Sequence, residues 1–245
     1  MSLQFIDFLF PDLDNVRCVF TTRMGGHSAG AYAHSNLSLE VGDKEENVRA
    51  NRAQLREALG FQCWQELRQV HGQDMHMDLE DDFFAGATLE GDGLCTGRPG
   101  HALIIKTADC QAILLADRRG RHVGALHCGW RGNAGNFPAA GVRRFCAAYE
   151  TDPADVFVVR GPSLGPGKSE FVNFADEWDP MFKSYYNPGT RAVDLWTLTR
   201  NQLMGTGIPA RNIFSLDLCT SSSPQFFSYR RDQVTGRQAG IIWIR

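Results

Sequence analysis

The sequence predicts an α/β or α+β protein in which mixed β-sheets are flanked by helices. Three observations lead there. Strand-like and helix-like patterns alternate along the chain. Several strand patterns follow one another with no helix between them, which argues against a purely parallel doubly wound sheet. No internal repeat, low-complexity tract or long polar linker interrupts the 245 residues, so a single domain over residues 1–245 is expected.

Val16–Thr22 is apolar and β-branched and reads as a strand, and the glycine-rich segment Gly25–Gly30 behind it reads as a loop. Asp43 is the expected N-cap of a helix, with Glu46 as its capping-box partner. Val48, Leu55 and Leu59 share one face of that helix, and Gly60 ends it. Leu67–His71 is predicted as a short strand. Ala102–Thr107, Ala112–Ala116 and His122–Leu126 follow as three successive strands, the last two joined by a polar turn at Asp117–Gly120. Asn136 and Pro138 open a helix whose apolar face is Val142, Phe145, Cys146 and Tyr149. Val156–Val159 is a buried strand ending at Gly161-Pro162. Helices are expected near Ala175–Tyr185 and, capped by Asp194, near Leu195–Met204. Ile213–Leu218 reads as a strand. A hairpin from Phe226–Tyr229 to Ile241–Ile244, turning near Thr235-Gly236, closes the chain.

The bulk properties exclude several classes. A net charge of -3 gives no general attraction to nucleic acid or anionic lipid. No apolar run approaches the ~20 residues of a membrane helix. The N-terminal segment MSLQFIDFLFPDLD has no basic start and carries acids early, unlike a secretory signal. The seven cysteines are odd in number and form no C-x-x-C pair, so they read as reduced thiols and point to the cytoplasm. No nucleic acid, membrane or obligate protein partner is inferred.

His71, Cys110 and His127 each stand where a predicted strand runs into a glycine-containing or polar segment. A soft thiolate with two imidazoles suits zinc, and three protein donors leave a fourth position for water or substrate. The three are widely spaced along the chain, with no zinc-finger pattern, so residue chemistry alone leaves three readings open. They form a metal site, they are unrelated core residues, or Cys110 and His127 are a metal-free nucleophile–base pair. Asp109 is a candidate for holding a ligand histidine in its tautomer. Arg131 is a candidate for binding phosphate or carboxylate. Asp92, in Gly91-Asp92-Gly93, also suits a plain turn. The Arg23–Gly30 loop lacks the Gly-Lys-Ser/Thr end of a P-loop, so no nucleoside-triphosphate site is supported.

Taken together, a set of short segments is similar to the motifs of one family. They are TTRMGG, NLSLEVGD, QVHG, TADC, HCGWRG, GPSLGP, CT, FFSYRRD and TGR, in that order from residue 21 to residue 237. The chain resembles the YfiH-like, or laccase-domain (multicopper polyphenol oxidase-like), proteins of purine nucleoside phosphorylase type. The resemblance implies a mixed α+β sandwich related to the catalytic domain of CNF toxin, a bacterial deamidase. It implies that His71, Cys110 and His127 bind one catalytic Zn2+, with copper able to occupy the same site in vitro. It implies phosphorolysis of adenosine, inosine, guanosine and methylthioadenosine, with adenosine deamination beside it. Purine nucleosides and phosphate are therefore the expected partners. Cys110, Asp109, Arg131 and Arg23 are the expected catalytic residues, the two arginines for phosphate. Asn36, Glu40, Asp43 and Asp92 are the expected substrate-binding residues. The chain departs from the family pattern at Glu40, where histidine is frequent, and at Ala112, where proline is usual. It departs again at Gly167-Lys168, and at Cys128, which replaces an alanine. None of these removes a metal ligand.

Composition also tests the laccase label. A four-copper oxidase needs His-x-His pairs, and no two of the seven histidines here are separated by one residue. Deamination requires attack of activated water on purine C6, with Asp109 or Glu40 as candidate proton carriers. The H-x-E and P-C-x-x-C signature of zinc nucleobase deaminases is missing. A non-catalytic zinc module would need Cys128 as a fourth ligand. Neighbouring strand residues point to opposite faces, which places Cys128 away from His127.

Overall fold

The computed structural model describes residues 2–245. In chain order the elements begin β1 (Phe5–Phe8), β2 (Val16–Thr21), α1 (Glu45–Leu59), β3 (Cys63–Gln65), β4 (Met75–Met77) and β5 (Gly93–Thr96). There follow β6 (His101–Thr107), β7 (Gln111–Asp117), β8 (Val123–Cys128), α2 (Trp130–Ala134), α3 (Phe137–Ala148) and β9 (Val156–Arg160). The last are α4 (Phe174–Glu177), β10 (Tyr186–Asn187), β11 (Ala192–Val193), α5 (Leu195–Met204), β12 (Ile213–Ser215), α6 (Tyr229–Asp232) and β13 (Gln238–Ile244).

Two mixed sheets form the centre. One has five strands in the order β1-β2-β13-β6-β3, the other six in the order β12-β9-β7-β8-β5-β4. Strands β3 and β6, β4 and β5, and β9 and β12 pair parallel, and the remaining pairs in these sheets are antiparallel. Side-chain alternation explains the layering. Leu103 and Ile105 of β6 meet Leu114 and Ala116 of β7 in a core between the sheets. Ala102 and Ile104 face the other way, onto Leu55 and Leu59 of α1. Ile113 and Leu115 of β7 face Phe137, Val142 and Phe145 of α3. Both faces of each central strand are therefore covered, which is why these strands read as near-continuous apolar runs.

Local chemistry sets the boundaries. Gly60 takes a left-handed conformation (φ 74°) and caps α1. Asp194 caps α5 by accepting the amide of Thr197. The polar turn at Asp117–Gly120 joins β7 to β8, with Gly120 N donating to Asp117 O.

Four expectations are corrected. Asp43 does not cap α1; that position falls to Lys44, while the Asp43 carboxylate accepts from Lys44 N and Asn36 Nδ2. Leu67–His71 is not a strand: only an isolated bridge at Arg68 forms, and His71 turns left-handed at φ 59°. The three successive strands from residue 101 to 128 form as expected, β6 in the first sheet and β7 and β8 in the second. Around Ala175–Tyr185 a four-residue helix and a 3-10 turn replace one helix, because Asp179 before Pro180 is held extended (ψ 142°). The C-terminal hairpin does not form. Phe226 and Phe227 are buried outside any strand, Ser228 caps α6, and β13 lies between β2 and β6.

Phe145 is fully buried between α3 and the second sheet. Phe145→Ala is expected to destabilise the protein by about 3–5 kcal/mol, read as a lowered midpoint in urea unfolding.

Candidate metal centre

The fold brings three distant residues to one point. The register of β7 against β8 puts Ala112 opposite His127 and Gln111 opposite Cys128. Cys110, just before β7, is thereby brought beside His127, and the loop after β3 delivers His71. The donor atoms of His71, Cys110 and His127 all lie within 4.8 Å of one another. Cys110 Sγ is 3.7 Å from His71 Nε2. The two imidazoles meet edge to face, their centroids 4.8 Å apart. A Cβ at Gly129 would lie 3.0 Å from Cys110 Sγ and 3.1 Å from His71 Cδ2, so a side chain there would press on both of these residues of the triad.

Asp92 organises this cluster. It is fully buried, and its Oδ1 lies 2.7 Å from His127 Nδ1. An ionised carboxylate only accepts, so Nδ1 carries the proton and Nε2 is left for the cluster. The same carboxylate accepts the backbone amides of Val70 (3.2 Å), His71 (3.1 Å) and Gly72 (2.6 Å). These three bonds hold the loop that bears His71. Burial raises the Asp92 carboxyl, but the bonds from His127 and the loop amides outweigh it and hold it below its ordinary value.

The donor set fits zinc. Burial alone raises the Cys110 thiol; His127 and His71 beside it outweigh that and bring it down to about 6. Burial lowers His127, while Cys110 and Asp92 raise it to about 9. Both shifts favour the thiolate, the form that ligates metal, with the proton on the imidazole. A cation held by the triad would displace that proton. Cys128 is no fourth ligand: it is buried on the helix side with Leu126 and Phe137, where burial raises its thiol. Among the described residues, this triad is the one group of three or more His, Cys, Asp or Glu side chains close enough to hold a metal.

The triad opens into a cavity of about 560 Å³, within the range of small-molecule sites, roughly 300–1,000 Å³. Trp130, Phe171 and Tyr229 supply aromatic wall. Lys106, Arg131, Arg230 and Arg237 supply positive charge, and Glu40 and Asp109 negative charge.

The residues singled out in the sequence fall at different places. Arg131 lines the cavity, its guanidinium 4.3 Å from the Trp130 ring centroid. Glu40 lines it too, its Oε2 accepting from Lys106 Nζ at 3.0 Å. Asp109 lines it at φ 97°, but its carboxylate is taken by Thr220 Oγ1 (2.6 Å) and Arg230 N (2.6 Å). The histidine partner is thus Asp92, not Asp109, and Asp92 is neither a bare turn residue nor a wall of the cavity. Arg23 is absent from the cavity wall. It stacks on Phe227, donates to Ala33 O and faces Asp232 at 3.8 Å. Asn36 and Asp43 bond each other at 3.0 Å and shape the loop that carries Glu40.

Lys106, Arg230 and Arg237 were not singled out as site residues. A lysine inside the apolar run ALIIKT was the available signal for Lys106. It is buried, shared between Glu40 and the fully buried Glu66, which also pairs with Arg52 at 3.0 Å. Arg230 and Arg237 lie in two of the recurring motifs, FFSYRRD and TGR.

The chain is similar to several known proteins over nearly its whole length. The family described as multi-copper polyphenol oxidoreductase laccase matches residues 17–245. Purine nucleoside phosphorylase YlmD of Geobacillus stearothermophilus is 34% identical over 244 residues, covering 92% of this chain and 89% of that protein. Purine nucleoside phosphorylase YfiH of Escherichia coli is 30% identical over 245 residues, covering 96% of each. The crystal structure of a Bacillus licheniformis protein titled hypothetical protein YfiH superposes with a TM-score of 0.85 at 28% identity, covering 98% of this chain and 96% of that one.

Replacing Asp92 frees the His127 ring and the His71 loop together. Asp92→Asn is expected to weaken zinc binding roughly 10–100-fold, measured by competition with a chromophoric chelator, while the protein stays folded by circular dichroism.

Proposed function

This chain belongs to the multi-copper polyphenol oxidoreductase laccase family, and from that premise we propose that it is a zinc-dependent purine nucleoside phosphorylase. Its substrates are adenosine, inosine, guanosine and methylthioadenosine, cleaved with phosphate to free base and sugar 1-phosphate, with adenosine deamination as a second activity. The reading rests on the activity named for the relatives. The observation that carries it is the triad of His71, Cys110 and His127 opening into a cavity walled by aromatic rings and arginines.

Zinc, when bound by the triad, supplies Lewis-acid chemistry at its open end. The chain's own residues do the rest. The rings of Trp130, Phe171 and Tyr229 offer flat apolar surface to a purine. The cavity arginines offset the charge of phosphate as it forms a bond to C1′ and the C1′–N9 bond breaks. The bonding electrons leave with the purine, which takes up a proton. In deamination, water adds at C6 and ammonia departs. Glu40 suits proton transfer better than Asp109, because both Asp109 oxygens are held within the protein while Glu40 Oε1 has no bonding partner among the described residues.

A second reading draws on the 3.7 Å contact between Cys110 and His71 and on the lowered Cys110 thiol, features of a metal-free Cys–His hydrolase or deamidase. A polyphenol oxidase, as the family description suggests, needs several copper centres. The described residues offer one mononuclear donor set.

One assay separates these readings. Adenosine is incubated with and without phosphate and the products separated by chromatography, for wild type and Cys110→Ala. Adenine formed only with phosphate signals phosphorolysis, and inosine signals deamination. Both are expected to disappear in Cys110→Ala and after chelation, and to return with zinc in the wild type. Full activity under chelation would favour the metal-free hydrolase. A metal-loaded protein that leaves every purine nucleoside unchanged would overturn the proposal.

A further inference from the structure

The cavity is lined by four cations, and they are not equally available. Lys106 is neutralised by Glu40 at 3.0 Å and Glu66 at 3.3 Å. Arg230 spends Nη1 on the carbonyls of Lys168 and Glu170. Arg131 is exposed, and among the described residues its guanidinium is held only against the ring of Trp130. Arg230 is thus anchored much as Arg237 is, but it is exposed; of the four, Arg237 alone is half-buried and without a carboxylate partner among the described residues.

Its backbone is pinned on both sides. Arg237 N donates to Asn36 Oδ1 at 2.9 Å, and its carbonyl accepts from Leu37 N at 3.1 Å. Its guanidinium is fixed as well, because Nη1 donates to the carbonyls of Thr235 and Gly236, both at 2.9 Å. Among the described residues no carboxylate pairs with it within ion-pair distance, and neither Nε nor Nη2 has a protein acceptor. Nε–H and Nη2–H lie along one edge of the guanidinium plane, the fork that binds two oxygens of one oxyanion side by side. The protein bonds thus hold the plane still and leave that edge free.

We propose that Arg237 is the phosphate-binding residue of this cavity, taking two oxygens of inorganic phosphate on its Nε and Nη2 edge. The assignment deepens the phosphorylase reading and rests on it for the role of the phosphate. It replaces Arg23, which lies off the cavity and is already engaged by Asp232 and Ala33. It gives the buried Asn36 a part in the chemistry as a positioning residue, since Asn36 Oδ1 fixes the backbone from which the guanidinium projects.

The test is calorimetric titration of inorganic phosphate into zinc-loaded wild type, Arg237→Gln and Arg237→Lys, with zinc content and melting temperature measured for each. Loss of two charge-assisted bonds is expected to weaken phosphate binding by about 10-fold or more in Arg237→Gln. Arg237→Lys keeps the charge without the fork and is expected to recover only part of the affinity; it carries the test if the glutamine variant does not fold. In steady-state assays the KM for phosphate rises by a similar factor while the KM for nucleoside stays within about twofold. A folded, metal-loaded Arg237→Gln that binds phosphate like the wild type overturns the assignment. If phosphate binding depends on Arg237 but no nucleoside is cleaved, the phosphate site stands and the phosphorylase reading falls. If cleavage depends on phosphate yet its KM is unchanged in Arg237→Gln, the reading stands and the site falls.

Discussion

The Asp92 carboxylate is a buried anion at the meeting point of a loop, a strand end and a catalytic-type cluster. It is stable there because four donors surround it: three consecutive amides of the His71 loop and the Nδ1–H of His127. Those same bonds give the loop its shape and set the His127 tautomer. His71 has a left-handed backbone, an unfavourable conformation for a residue with a β-carbon. The hydrogen bonds to Asp92 are what hold it. The two imidazoles of the triad are therefore oriented by one group that is absent from the cavity wall.

Two further ties of the same kind build the cavity around that centre. Asp109 joins the TADC segment to Thr220 and to the backbone of Arg230, so the turn before β7, the loop at Thr220 and α6 are held as one wall. Asn36 joins the NLSLEVGD loop to the backbone of Arg237 just before β13. In both cases a short polar side chain is consumed in bonding the backbone of a distant segment. That releases longer, charged side chains to face the cavity. The polar residues of the motifs divide accordingly into those that make the wall and those exposed on it.

Much of the fold was legible because local chemistry decided it. The apolar runs at β6, β7, β8 and β9, the glycine stop after α1 and the Asp194 cap of α5 all follow from a few adjacent residues. What failed were segments whose conformation depends on a remote partner. Leu67–His71 has strand-forming residues, but the Asp92 carboxylate bends its end into a turn. Phe226 and Phe227 look like half a hairpin, but Phe227 N bonds the side chain of Gln238 and β13 pairs with β2 and β6 instead.

The sequence by itself determined the donor chemistry of His71, Cys110 and His127, the family to which their motifs belong and the exclusion of a His-x-His copper cluster. Residue type and motif order carry that information without coordinates. It also set Cys128 apart from His127, because alternation along a strand is a local rule. The roles of the acids and arginines were decided by tertiary structure alone. Asp92, Asp109, Arg23 and Arg237 have side chains that serve either a substrate or the protein itself. Which one each serves depends on the hydrogen-bond partners that chain folding delivers from far along the sequence. Beside Cys110 the same contacts added the missing element, a carboxylate at the back of the site that orients the His127 ring and the His71 loop.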